Sequence, residues 1–467
     1  MTDKKKSEAQ LLKEQLCYTP KNAGELLDDS EWEKADLFCE GYKKFLDLAK
    51  TEREAVEVAI SMAREKGFRV FDPRVQYKAG DRVFYNNRGK ALVLCTIGTE
   101  PLENGVKIVA SHIDAPRIDL KPRPLYEETQ LAMFKTHYYG GIKKYQWTAI
   151  PLALHGVVVR ADGERVSVII GEEDGDPVFT ITDLLPHLAS EQMQRKGVDI
   201  IKGEALNVLV GGRMFRDDKE SERVKLAILK LLNEKYGLTE ADFLSAELTM
   251  VPAFKSSDVG LDRSFVGAYG HDDRVCAYTS LMAALQITNP SRTVVTVLAD
   301  KEETGSEGNS GLQSKFLQYF IEDLAAPFGL AGRTVLSKSS CLSADVNAAY
   351  DPTYGEMHEK NNASYCNYGV VITKYTGSRG KASTNDASAE FMGEIRSLLD
   401  GAKVQWQTGE LGKVDAGGGG TVAMYIAALN VDVVDVGVPV LSMHAPFEVV
   451  SKSDVYQTFR AFVEYHK

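Results

Sequence analysis

The sequence contains no C-x-x-C pair, and its six cysteines (Cys17, Cys39, Cys95, Cys276, Cys341 and Cys366) are scattered. That spacing argues against a disulfide framework and fits a reduced, intracellular protein. No apolar run approaches the roughly 20 residues that a bilayer-spanning helix needs. The opening stretch MTDKKKSEAQ lacks the apolar segment of a secretory signal, so a cytoplasmic location is expected. Basic residues are outnumbered, 55 Lys and Arg against 66 Asp and Glu, which gives a net charge of −11. A diffuse acidic balance argues against nucleic acid or an anionic membrane as the main partner. There is no fixed-period repeat and no low-complexity tract. The run Gly417–Gly420 is not followed by the Gly-Lys-Ser/Thr of a phosphate loop, which argues against nucleotide binding.

What remains is a chain of ordinary globular composition, 44% apolar and 26% charged. Its 467 residues exceed what one hydrophobic core serves, so two structural domains are expected. The N-terminal part reads as helical. Ser30-x-x-Glu33 has a capping-box pattern before a helix running to about Leu48, and Thr51-x-x-Glu54 opens a second helix that Gly67 ends. Strand-like runs follow at Ala91–Thr96 and Val106–Ala110. The middle of the chain differs. Gly156–Arg160 and Arg165–Ile170 flank Asp162-Gly163, a hairpin signal because the turn requires positive φ. Hairpins continue to about Thr182, and an amphipathic helix is expected from Lys219 to Tyr236. From Ala246 strands alternate with helices again. Thr293–Ala299 and Val431–Val440 read as buried strands, a helix opens near Arg274, and Ser453 caps a closing helix to Tyr465. The expected fold is therefore α/β: a layered catalytic domain built from residues 1–118 and 246–467, interrupted by a β-rich insert over 119–245.

Five short segments carry chemistry, each just after or beside an apolar run: Ser111-His-Ile-Asp114, His271-Asp-Asp-Arg274, Asp300-Lys-Glu-Glu303, Ser343-Ala-Asp345 and Ser442-Met-His444. In layered α/β sheets, sites gather at the carboxyl ends of strands. Zinc takes imidazole nitrogen and carboxylate oxygen, and a carboxylate that bridges two ions serves a paired-metal hydrolase. Singly each segment is weak; together they supply the donor inventory of a dinuclear hydrolase.

The ordered set resembles the aspartyl aminopeptidase family, which includes the vacuolar aminopeptidase I group. The resemblance runs over nearly the whole chain through SHIDAPRIDLKPRP, YYGGIKKYQW, HDDRVCAY, DKEETGSEGNSG, SADVNAAYDPTY with HEKN, and GVPVLSMHAPFEVVSKSDV. It implies a zinc-exopeptidase catalytic domain and an aminopeptidase activity on peptides. It also implies two divalent ions, with zinc expected and cobalt or manganese accepting similar ligands. By the same resemblance His112 and Asp345 hold one ion, Glu303 and His444 the other, and Asp272 bridges. Glu302 is the general base, Asp114 fixes the His112 tautomer, and His358 stabilises the oxyanion. Asp415 is a candidate partner for the substrate amine, and His271 is structural. Adjacent residues of an extended segment point to opposite sides, which would let Glu303 ligate while Glu302 reaches water. The insert would make dimers that assemble into a tetrahedral dodecamer.

The chain departs from the family pattern in places. Where many members carry an insert histidine that reaches a neighbouring subunit's site, PHLASEQ has Glu191, with His187 earlier. Trp147 is followed by Thr148 rather than an Asp-Arg pair. The family lysine associated with acidic substrates falls on Thr373, with Lys374 one residue over, while Arg379 matches; the preferred N-terminal residue stays open. The ligand set alone also suits a carboxypeptidase or deacylase. A non-enzymatic assembling scaffold is the third reading, against which stands the cost of burying so many charges without use.

Overall fold

The computed structural model describes residues 6–217 and 219–467, and its strands form three sheets. The largest has nine strands. At its centre Lys107–His112 lies between Val294–Ala299 and Ser340–Ser343, parallel to both. Asp432–Gly437, Val370–Thr373 and Trp406–Thr408 extend it on one side. Ala91–Thr96, Arg82–Asn87 and Arg69–Val70 extend it on the other.

Successive residues of the central strands face opposite layers. Val109, Leu298, Leu342 and Val434 pack toward the helices Asp29–Leu48, Glu52–Glu65, His271–Gln286 and Lys452–His466. Ile108, Val295, Val297, Cys341 and Val433 pack toward Phe316–Ala325, Gly332–Leu336 and Ala423–Ala427. Covering both faces is what makes these strands continuous apolar runs. Each fully buried valine or leucine there contributes about 1.5–3 kcal/mol, and together they fix the strand ends from which the site is built.

The second sheet has seven antiparallel strands in the order Arg165–Ile170, Leu152–Val159, Ala246–Pro252, Arg117–Glu128, Leu131–Tyr139, Val208–Gly211 and Thr180–Ile181. The hairpin expected at Asp162-Gly163 is present, with Gly163 at φ 87°. Helix Arg223–Tyr236 covers one face and starts four residues later than Lys219. The third sheet joins Ser257–Val259, Phe265–Ala268, Glu448–Ser451, Pro439–Leu441 and Asn347–Ala348.

Several local expectations shift. The Thr51 capping box is formed, but the preceding helix is capped by Asp28, whose side chain accepts from Glu31 N; Ser30 lies within its first turn. Asp28 wins because it puts Asp29 and Glu31 at the positive end of the helix dipole. The closing helix is Lys452–His466 with Ser451 ahead of it. Ser453 is buried instead, its Oγ bonded to Ser451 and Asn367. The run Val431–Val440 divides into Asp432–Gly437 in the large sheet and Pro439–Leu441 in the small one, since Pro439 has no N–H to continue a ladder. This break lets the chain leave the large sheet beside Asp345 and return toward His444. Among the described residues no helix is long and apolar enough to cross a membrane.

Candidate metal centre

All five expected ligands lie at or just beyond strand ends. His112 closes the central strand and stands opposite Ala299 in the register. From Ala299 the chain turns through Lys301, at φ 71°, into the 3-10 turn Glu302–Thr304. Asp345 follows Ser340–Ser343 by two residues, and His444 follows Pro439–Leu441 at φ 65°. Asp272 lies past Phe265–Ala268, at the head of the buried segment His271–Gln286; it and Asp273 are non-helical, joined by a cis peptide, and regular helix begins at Arg274. Positive φ at a non-glycine residue is uncommon and gathers at functional sites, as at His444 and Lys301 here.

The structure brings these five together. The two oxygens of Asp272 face two different imidazoles: Oδ1 is 3.2 Å from His112 Nε2 and Oδ2 is 3.1 Å from His444 Nε2. Asp345 Oδ1 is 3.9 Å and Glu302 Oε2 3.8 Å from His112 Nε2, while Glu303 Oε2 is 3.5 Å from His444 Nε2. Glu302 and Glu303 do not alternate as in a strand. The 3-10 turn presents both carboxylates to the same side, and donor atoms of His112, Glu302 and Glu303 lie within 4.8 Å of one another.

Each imidazole is oriented from behind. His112 Nδ1 is 3.0 Å from the Asp114 carbonyl and 3.3 Å from its carboxylate, so Nδ1–H donates and, in the neutral ring, Nε2 is the nitrogen left to face the centre. His444 Nδ1 donates to the Gly141 carbonyl at 2.7 Å with the same result. Asp114, fully buried, also accepts from Glu302 N (3.1 Å), Glu303 N (3.2 Å) and the Tyr139 hydroxyl (2.7 Å). It therefore pins the backbone of the whole acidic turn as well as the tautomer expected of it. Losing such an outer partner typically costs about 10- to 100-fold in metal affinity or activity.

Sequence reasoning missed three of these supports. Glu448 accepts from Asp272 N at 3.1 Å and His444 N at 2.7 Å, tying two ligands to one buried carboxylate. Its only signal is an acidic residue between Phe447 and Val449 in an apolar stretch. Asp273 accepts from His112 N at 3.2 Å. Tyr139 sits in YYGGIKKYQW, a motif with no ligand in it. His271 is structural as expected, its ring spanning the Tyr42 hydroxyl and the Val266 carbonyl.

The other expected residues stand outside these contacts. His358 follows Pro352–Met357, with its ring 5.3 Å from that of Tyr350 and a buried Nδ1 that has no hydrogen-bond partner among the described residues. Asp415 is exposed, at φ 67°. Thr373 is buried and accepts from Asn347, Lys374 pairs with Asp386, and Glu191 pairs with Arg195.

Electrostatics show what the cluster lacks. Burial pushes Glu302 up to about 7 and Glu448 up to about 8, and it holds Glu303 and Asp345 well above the usual carboxylate range. Burial alone would lower the two histidines, but Asp114 and Asp272 carry His112 well above 6.5, and Asp272 and Glu303 carry His444 up to about 10. The cluster is short of positive charge and recruits protons. Glu303 Oε1 is buried with no hydrogen-bond partner among the described residues. Oxygen and imidazole donors around a deficit of positive charge fit divalent zinc.

A pH effect follows from these shifts. Between about pH 7 and 8 the folded, zinc-free chain keeps protons on Glu448 and His444 that the unfolded chain has released. Stability carried by a raised pKa is lost as pH rises, so the unfolding midpoint of the zinc-free protein falls over this window. Ligation requires neutral imidazoles, so zinc binding releases protons and strengthens with pH. The midpoint gain on adding zinc is expected to be several degrees larger at pH 8.5 than at pH 6.5. An equal gain at both would contradict the proton linkage.

Comparisons with known proteins agree with this chemistry. The family model described as aminopeptidase I zinc metalloprotease (M18) matches residues 45–466. A probable M18 family aminopeptidase 1 from Clostridium acetobutylicum is 50% identical over 446 residues, covering 94% of this chain and 96% of that protein. The crystal structure of aminopeptidase I from the same organism superposes with a TM-score of 0.92 at 46% identity, covering 97% of this chain and 100% of that one. A Saccharomyces cerevisiae mApe1 dodecamer shares the fold at a TM-score of 0.75 and 19% identity, over 93% and 97% of the two chains.

Proposed function

Since the chain belongs to the M18 family of zinc aminopeptidases and is thus a metal-dependent aminopeptidase, we propose that it works with two divalent ions. His112 and Asp345 hold one, Glu303 and His444 hold the other, and Asp272 serves both. The contact that carries this reading is the Asp272 carboxylate, with one oxygen on each of two imidazoles. Bound zinc would polarise the scissile carbonyl and lower the pKa of water from about 15.7 toward about 7.

The chain's own residues do the rest. Glu302, anchored through its backbone N–H to Asp114 while its carboxylate faces the cluster, takes the proton of the attacking water and returns it to the leaving amine. Asp114 and Glu448 keep the ligands in place without touching substrate. Burial lowers the pKa of His358, so it is neutral at pH 7 and can give one N–H to the developing oxyanion, the role the family resemblance assigns it.

Assembly belongs to the same proposal. Leu184, Leu185, Leu188, Met193 and Val198 are exposed within one stretch of the region 119–245, apolar side chains of the kind that a partner interface covers. This supports a homo-oligomer built through that region, a dodecamer by likeness to the yeast particle. Size-fractionated protein assayed on amino-acid anilides, with zinc counted per chain, tests both parts. Anilide hydrolysis eluting at about twelve chain masses is expected. One zinc ion per chain would exclude the two-ion reading, and elution at one chain mass would exclude the assembly.

A further inference from the structure

One motif of the sequence holds none of the ligands, yet the structure sets it against the site from the second sheet. YYGGIKKYQW begins at the end of strand Leu131–Tyr139. Tyr139 donates its hydroxyl to Asp114 Oδ2 at 2.7 Å, the oxygen that also accepts from Glu303 N. Its ring is held by two cations: the Arg117 guanidinium lies 4.0 Å and the Lys301 ammonium 5.3 Å from the ring centroid. Arg117 is fixed in turn by Glu52 (3.1 Å) and Asp119 (2.8 Å). Gly140 has φ 76°, and a Cβ there would lie 3.2 Å from Glu303 Oε2 and 3.4 Å from Glu303 Cβ. Gly141 gives its carbonyl to His444 Nδ1, and a Cβ on it would lie 3.4 Å from that nitrogen.

We infer that Tyr139, Gly140 and Gly141 form a positioning segment by which the seven-stranded sheet holds Glu303 and His444 in ligating geometry. The inference rests on the two-ion reading above. Tyr139 acts through Asp114 on the turn that carries both glutamates. Gly140 holds a left-handed φ and leaves the Glu303 carboxylate space that a Cβ would narrow by a few tenths of an ångström. The Gly141 carbonyl selects the His444 tautomer whose Nε2 is free. Three consecutive residues thus touch, from one side, every element of the Glu303–His444 position except Asp272. Among the hydrogen bonds of the described residues, this segment reaches the His112–Asp345 position through Asp114. The second sheet therefore takes part in the site as well as in any assembly.

The test measures zinc binding by calorimetry on the metal-stripped full chain, with unfolding midpoints in parallel. Tyr139→Phe removes one hydroxyl, Gly140→Ala adds one methyl, and Tyr138→Phe alters an exposed neighbour as control. Losing an outer partner typically costs about 10- to 100-fold in metal affinity. Y139F is expected to weaken zinc binding by that factor, and G140A to weaken one of the two binding steps while sparing the other. Y138F should leave both unchanged. The zinc-free midpoint of Y139F should fall by less than the zinc-loaded one. Wild-type zinc affinities in Y139F and G140A would overturn the inference alone. So would a Y139F midpoint that drops equally with and without zinc, since that marks a packing role. A wild-type chain that binds no zinc would overturn the two-ion reading and this inference with it.

Discussion

Replacing Glu302 by glutamine is expected to lower kcat by about 100- to 10,000-fold, the range that a positioned general base contributes, while two zinc ions stay bound. Gln is isosteric, and the link that holds position 302, its backbone N–H on Asp114 Oδ1, does not involve the side chain. What is lost is the carboxylate that would take the proton of the attacking water; in the zinc-free chain burial pushes it up to about 7. The geometry also poses a rival. Glu302 Oε2 lies 3.8 Å from His112 Nε2, as near as Asp345 at 3.9 Å, and Glu302 is itself one of the donors grouped around that imidazole. If it were a ligand rather than the base, the variant would lose an ion together with its turnover. Elemental analysis of Glu302→Gln beside its kcat separates the two: a dinuclear protein with wild-type turnover removes Glu302 from the chemistry, and loss of one ion makes it a ligand.

The sequence exposes the ligands because each follows an apolar run, and the runs are apolar because the central strands are covered on both faces. The apolar runs mark the segments in which His112, Glu303 and Asp345 stand, and the family resemblance is what picks those residues out as expected ligands. Asp272 and His444 are harder. They stand on the small third sheet, which is invisible until Pro439 is seen to break the run that starts at Val431. The turn at Lys301 is not legible at all, since lysine gives no sign of positive φ, and reading the segment as extended put the two glutamates on opposite sides. Glu448 and Tyr139 escaped for a different reason. Glu448 reaches Asp272 across 176 positions of sequence, and Tyr139 reaches Asp114 from another sheet. Local pattern marks where a charge ends a strand; it does not say which distant backbone that charge will hold.

Asp272→Ala is expected to abolish both metal sites at once, lowering affinity at each by more than the roughly 100-fold that an outer partner can cost, and to take activity with it. Each imidazole has its shortest carboxylate contact with Asp272, at 3.2 Å for His112 and 3.1 Å for His444. Without it, the nearest carboxylate oxygens facing Nε2 are those of Glu302 and Asp345 for the first and Glu303 for the second, all at 3.5 Å or more. Asp345→Ala is the informative companion, because of the two imidazoles Asp345 meets only that of His112. That variant should lose one ion and keep the other. Asp272→Asn should fall between them, since its amide keeps the shape but presents an N–H₂ where one of the two sites needs an acceptor. The order of zinc stoichiometries across Asp272→Ala, Asp272→Asn and Asp345→Ala therefore reads out whether one carboxylate serves two ions. Retention of a single wild-type-affinity ion in Asp272→Ala would show that the two oxygens of Asp272 do not bridge, and the dinuclear mechanism would fall with that result.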